Sequence, residues 1–365
     1  MMRGTVDADF DVLKAQGCAA ALIAGAYRRS LEMVPNKLIA DSSTRAVTLQ
    51  TPTLFCDLRI AEDRPVLPEG VTSFEELPIA TLAALVRTTH CFAGYSYIDG
   101  DNPISDDQHP ETMIARNCDR ALRPLSSSSM CTRIHALDWQ PMPRLSENRW
   151  RIQPEFEHGG WVEWSSRLDA HHQSEYVEHW RTLANSRDGP FVALRRRAST
   201  EQPAAFFLVC GEHFVYIADR PLALQLPVVT PGTGGHPADR GRVEPLVEAA
   251  EASGDRAGLL ATLSMECHYG RVRRSESPDC AETSLLGMPA HLEPERPNWQ
   301  ILLSTRPWRE GTFFDTASLC QGYDGTFEVF DEHRLVAPGL PPPPSVLGAV
   351  LALGRTHAIP QPRAG

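Results

Sequence analysis

No apolar run in the chain reaches the roughly 18 residues that a membrane-crossing helix needs, so none is expected. No Cys-x-x-Cys pair occurs, which removes the zinc-ribbon spacing. No Gly-x-Ser-x-Gly elbow occurs either, and Ser126 to Ser129 carry no nucleophile-turn signature, so a hydrolase triad is unsupported. Gly232-x-Gly234-Gly235 lacks the following helix and the acidic residue that would complete a dinucleotide-binding βαβ unit, and it reads as a loop. Basic charge is also short. Lys and Arg number 35 against 46 Asp and Glu, and the net charge of -11 sets aside general nucleic-acid binding. The local runs Arg195-Arg196-Arg197 and Arg271-Val272-Arg273-Arg274 adjoin strand-like segments and read as solvated strand ends.

Cysteine and histidine are present without a metal pattern. The nine cysteines are odd in number, and Cys56, Cys91 and Cys210 sit inside apolar strand-like segments, which reads as reduced, buried thiols. His171 and His172 are adjacent and would point to opposite strand faces, so with His179 they make a poor ligand set. His109 with Asp106 and Asp107 reads as a solvated acidic loop. Neither a metal nor a cofactor is expected. The small-residue segment Gly17 to Ala26 follows Asp7, Asp9 and Asp11 instead of a basic region. It therefore reads as an N-terminal helix or extension over 1–25, and the protein is placed in the cytoplasm.

Strands dominate what is there. The 365 residues suffice for two cores, and 42% of them are hydrophobic. Strand patterns fall at Ala26–Met33, Ala46–Ile60, His90–Ile98, Met130–Gln140, Arg149–Phe156, Trp161–Leu168 and Tyr176–Ala184. Others follow at Phe191–Ala198, Ala204–Cys210 and His213–Asp219, then at Leu263–Val272, Trp299–Thr305, Gly311–Leu319 and Gly325–Phe330. Along the second of these, Leu54, Cys56, Leu58 and Ile60 share one face, and Phe55, Asp57 and Arg59 the other. That alternation predicts a half-buried antiparallel strand, and Asp57 with Arg59 reads as a salt bridge. Phe74–Thr88 and Val243–Leu263 read as helices, the second open to a break at Gly254. The expected fold is mainly β, an antiparallel barrel or sandwich with a few short helices. The expected division is a first barrel over 26–184 with a polar insert at 99–130, a second over 185–335 with a helical linker at 243–261, and a Pro-rich tail over 336–365.

Several short segments, in order, carry a resemblance. They are Tyr27-Arg28-Arg29-Ser30-Leu31-Glu32, Leu49-Gln50-Thr51, Phe55-Cys56-Asp57-Leu58-Arg59-Ile60, Phe92-Ala93-Gly94 and Cys131-Thr132-Arg133. Leu137-Asp138-Trp139-Gln140-Pro141, Tyr176-Val177-Glu178-His179-Trp180-Arg181 and Ala218-Asp219-Arg220-Pro221 follow. The last two are Met265-Glu266-Cys267-His268-Tyr269-Gly270-Arg271 and Ser304-Thr305-Arg306-Pro307-Trp308-Arg309-Glu310-Gly311. Together they resemble an uncharacterised bacterial family similar to the fungal casein-kinase-interacting protein with two lipocalin-like barrels. The resemblance implies two calycin-like antiparallel β-barrels and implies no reaction. The 99–130 insert and the long stretch between Arg271 and Trp299 depart from it.

Candidate chemistry gathers on the middle strands. Strict alternation along Met130–Gln140 puts Cys131, Arg133, His135, Leu137 and Trp139 on one face. Arg149, Arg151 and Gln153 share a face of the next strand, and Glu178 and Trp180 a face of Tyr176–Ala184. If Arg133, His135, Glu163 and Glu178 point into one barrel, His135, Glu163 and Glu178 become candidate acid-base groups. Arg133, Trp139, Arg151 and Trp180 become candidate ligand contacts, with Glu266 and His268 lining a second barrel. The competing arrangement is cross-strand charge pairing on the outside of the sheet. Three functions remain open: a binding protein for an apolar or carboxylate-bearing small molecule, an isomerase, cyclase or lyase centred on His135, and a protein-interaction scaffold.

Overall fold

A computed structural model describes residues 24–34, 39–51, 54–99, 130–140, 148–155, 160–165, 177–187, 191–224, 243–273, 298–314 and 327–329. The expected N-terminal extension, the body of the 99–130 insert and the Pro-rich tail lie outside these residues. So do the histidine pair at 171–172 and the Gly-rich loop at 232–235.

The stretch from Ala46 to Ile60 is two strands, not one. After β1 (Gly25–Val34) and β2 (Ile39–Asp41), the chain forms β3 (Arg45–Gln50) and β4 (Leu54–Ile60). These two pair antiparallel from Arg45↔Ile60 to Gln50↔Phe55. At the turn the Thr51 amide donates to the Leu54 carbonyl at 2.8 Å. Pro52 marks the spot: proline has no N–H for a ladder, so an uninterrupted strand through it was the wrong reading.

Helix α1 (Ile79–Thr88) leads into β5 (Thr89–Asp99), and β6 (Met130–Asp138), β7 (Asn148–Glu155), β8 (Gly160–Ser165) and β9 (Val177–Thr182) follow. Pairing runs β1-β3-β4-β5-β6-β7-β8-β9, and β9 returns to β1. The result is a closed eight-stranded antiparallel barrel, with β2 added beside β1.

A second sheet holds β10 (Phe191–Arg196), β11 (Ala205–Cys210), β12 (His213–Ala218), β13 (Glu266–Arg273), β14 (Asn298–Ser304) and β15 (Phe327–Val329). Its order is β14-β13-β12-β11-β10-β15, and among the described residues it is an open sheet and not a closed barrel. The expected strand at Gly311–Leu319 is not found over its described part, where Phe313 makes only a bridge to Gln300. Helices α2 (Glu244–Ser253) and α3 (Ala257–Leu263) pack with α1, and left-handed Gly254 (φ 76°) separates α2 from α3.

The main core lies outside the barrel. Leu54, Cys56, Leu58 and Ile60 of β4 pack outward against Leu82, Leu85 and Val86 of α1 and against Phe206, Leu208, Ile217 and Cys267 of the second sheet. Each such side chain removed from water contributes about 1.5–3 kcal/mol. The other face of β4, with Phe55, Asp57 and Arg59, points into the barrel. The strand is thus buried on both faces, not half-buried.

One irregularity sets the barrel's interior. Between β5 and β6 the register jumps from Ala93↔Leu137 to Gly94↔His135, so Ala136 is an extra residue on β6. Such a bulge inverts the in-out phase of everything beyond it. His135 and Arg133 face inward, and past the bulge Asp138 does too. Leu137 and Trp139 face outward. Gly94 permits this approach, because a Cβ there would stand 1.9 Å from the Ile134 carbonyl oxygen. Gly94→Ala is expected to lower stability by about 2–4 kcal/mol, read as a fall in the urea midpoint. An unchanged midpoint would contradict this role for the bulge.

Candidate functional site

The barrel's interior is charged. Across β8, β9, β1 and β2 one row of partners reads Glu163↔Glu178↔Glu32↔Asp41. Like charges set directly opposite repel. Two arginines and a proton relieve the row. Arg29 donates to Glu178 at 2.8 Å, to Asp41 at 3.0 Å and to Glu32. Arg59, on β4 across the barrel, donates to Glu178 at 2.6 Å and to Asp57 at 2.8 Å. The Asp57–Arg59 pair forms as expected, but as part of this interior network.

Burial pushes Glu178 upward, yet Arg59 and Arg29 outweigh it and hold the carboxyl down near about 2. Glu163 goes the other way. Burial and then the charge of Glu178 push it up to about 8, although Arg133 and the Trp161 indole act against the rise. Glu163 is therefore a neutral acid at pH 7 that shares a hydrogen bond with Glu178, and it accepts one from Trp161 Nε1 at 3.1 Å.

Arg133 stands apart from these pairs. Its guanidinium lies 4.6 Å from the ring centre of Phe55 and 4.7 Å from that of Trp150. The residue is 2% exposed, and its Nε and Nη2 have no hydrogen-bond partner. The indole N–H groups of Trp150 and Trp180 are likewise buried without an acceptor. Nearby, His135 Nδ1 lies 2.8 Å from Asp138 Oδ2, and its ring stacks on Phe92 at 4.5 Å. Burial raises the Asp138 carboxyl, and the hydrogen bond and charge of His135 more than reverse that, for a net lowering.

Of the residues singled out from the sequence, Arg133, His135, Glu163, Glu178 and Trp180 meet inside the barrel. Trp139 does not. The bulge turns it outward, where its indole donates to the Val86 carbonyl at 3.3 Å. Arg151 is exposed, because Trp150 and Ile152 take the inward positions of β7. Glu266 and His268 share a face, as expected, but on β13 of the second sheet. There His268 Nε2 meets Glu266 Oε1 at 2.5 Å, and Nδ1 meets Ser304 Oγ at 2.8 Å. Arg306 completes the set with a 3.0 Å contact to Glu266. Sequence reading missed Trp150 and Arg29. Trp150 was legible, since Trp150 and Ile152 alternate with Arg149 and Arg151 as inward residues do. Among the described residues no cluster of metal-ligating side chains occurs, and no helix is long and apolar enough to cross a membrane.

No protein-family model matches the chain, and no curated protein matches it. Among solved structures, the chain is similar to the uncharacterized protein YLR301w from Saccharomyces cerevisiae, at 10% identity and a TM-score of 0.36. The likeness covers 77% of this chain and 99% of that one. At that distance it carries nothing about the site.

The raised Glu163 has a signed consequence for stability. Unfolded, the carboxyl titrates near 4.5, and folded near about 8, so between these values the folded state holds a proton that the unfolded state has lost. Stability from this group therefore falls as pH rises from 5 to 9. Glu163→Gln keeps a neutral hydrogen-bonding group and removes the titration. Urea unfolding should show the variant gaining on the wild type between pH 5 and pH 9. A difference independent of pH would rule out the neutral acid.

Proposed function

We propose that this chain is a small-molecule-binding protein of lipocalin-like type, with the ligand held inside the eight-stranded barrel. One observation carries the reading: buried hydrogen-bond donors converge on the barrel interior with no acceptor from the protein. These are Arg133 Nε and Nη2 and the Nε1 groups of Trp150 and Trp180. Leaving a buried donor unpaired costs about 1–3 kcal/mol, more when it is charged. A ligand with acceptor oxygens removes that penalty on binding. In this reading Arg133 and Trp180 are ligand contacts, residues 26–184 form the binding unit, and 185–335 form the half that packs against it. The five described cysteines are all free thiols, which supports a reducing compartment such as the cytoplasm.

The His135–Asp138 pair favours one second reading, acid-base catalysis in the same barrel. A carboxylate at 2.8 Å fixes the imidazole's orientation, as a working base requires. Glu163, as a neutral acid, and Glu178, as its ionised neighbour, complete that candidate set.

The binding reading is tested by native mass spectrometry after incubation with a small-molecule extract. A non-covalent mass increment is expected, retained less well by Trp150→Phe and Trp180→Phe. Each lost hydrogen bond should weaken retention by about 3- to 10-fold. A bare mass across all extracts, with no rise in melting temperature, would defeat the binding reading. Chemical conversion of an extract component, lost in Asp138→Asn, would favour the second.

A further inference from the structure

We infer that Arg133 is the seat of a single ligand carboxylate, gripped side-on by Nε–H and Nη2–H. The inference deepens the binding reading above and rests on it. Nε and Nη2 form one edge of the guanidinium, and their two N–H bonds run nearly parallel. That edge is the fork which carboxylates and phosphates accept in bidentate fashion. Both of its nitrogens are buried and lack a partner.

The surroundings narrow the ligand. Phe55 and Trp150 flank the guanidinium at 4.6 and 4.7 Å, which limits approach to its plane. A planar carboxylate lies in that plane. A tetrahedral phosphate would push its remaining oxygens out of the plane and against the rings. Arg29 and Arg59 are fully engaged by Glu32, Asp41, Asp57 and Glu178, two cations against four carboxylates. The fork of Arg133 is not so engaged, and a dianion there would add more negative charge than a carboxylate to an interior already rich in it. Glu163 does not take the place of the ligand, because it is held in hydrogen bonds with Glu178 and Trp161. A neutral amide or alcohol offers the fork no charge and so leaves the buried cation uncompensated.

The test uses the full chain labelled with 15N-arginine. The Arg133 Nε–H resonance is assigned by its loss in Arg133→Lys and, in the wild type, by contacts to the rings of Phe55 and Trp150. Formate, acetate and benzoate are titrated, with formamide, acetamide, benzamide and phenyl phosphate as controls. The expected result is a saturable downfield shift of this resonance with at least one carboxylate. The amides should leave it in place, and phenyl phosphate should act at least about tenfold more weakly than benzoate. In Arg133→Lys, carboxylate affinity by native mass spectrometry should drop at least about tenfold, since lysine keeps the charge and loses the fork. Amides shifting the resonance as carboxylates do, or no carboxylate shifting it, would overturn the inference. If extract ligands still bind Arg133→Lys as tightly as wild type, the carboxylate seat is wrong while the binding reading stands. If no extract component binds the wild type, the binding reading itself falls.

Discussion

The carboxylate of Glu178, clamped between Arg29 and Arg59, is the interaction on which the barrel depends. Glu178 lies on β9, the last barrel strand, Arg29 on β1, the first, and Arg59 on β4, the third. The clamp joins the two strands that must meet to close the barrel and ties both to a strand across the interior. Burying three charges is expensive, and an apolar replacement of similar shape would often be as stable. What the clamp supplies is register. A slip of one residue between β9 and β1 would turn Glu178 to the outside and strip Arg29 and Arg59 of the carboxylate they share.

That clamp also explains why the barrel is polar within and apolar without. Barrels standing alone in water place their apolar faces inward. Here the outer face of β3, β4 and β5 is covered by α1 and the second sheet, and the largest apolar cluster forms on that covered side. The interior is left for charges, indoles and a neutral acid. A ligand suited to such a space satisfies hydrogen-bond donors; an apolar one would leave them unpaired. Under the proposed binding role, a carboxylate would satisfy these donors where an apolar molecule would not.

The sequence made most of this legible through alternation. The two faces of Leu54–Ile60 were readable, as were most strands and the break at Gly254. Which face looked inward was not, because apolar and polar faces exchange meaning once a second sheet covers the barrel. The site was legible in part. Arg133, His135, Glu163, Glu178 and Trp180 do meet, but Trp139 was misplaced because period-two counting cannot see a bulge. The clue to that bulge was Gly94, which sits on the neighbouring strand, so counting along β6 alone could not reveal it. Arg151 was misplaced for another reason. Attention to charge displaced the simpler pattern in which Trp150 and Ile152 face inward.

The second sheet then acts on the site without lining it. Arg220, just after β12, donates to the carbonyl of Asp138 at 2.9 Å and to that of Trp139. Arg195 of β10 donates to the hydroxyl of Tyr95 at 2.9 Å. Both contacts fall on β5 and β6, the pair that carries the bulge. An irregular strand end exposes carbonyls that no ladder partner satisfies, and Arg220 answers two of them. The residue that orients His135 is therefore held in place by a side chain from the other half of the protein. A barrel cut from the second sheet would lose this support at the β5–β6 bulge.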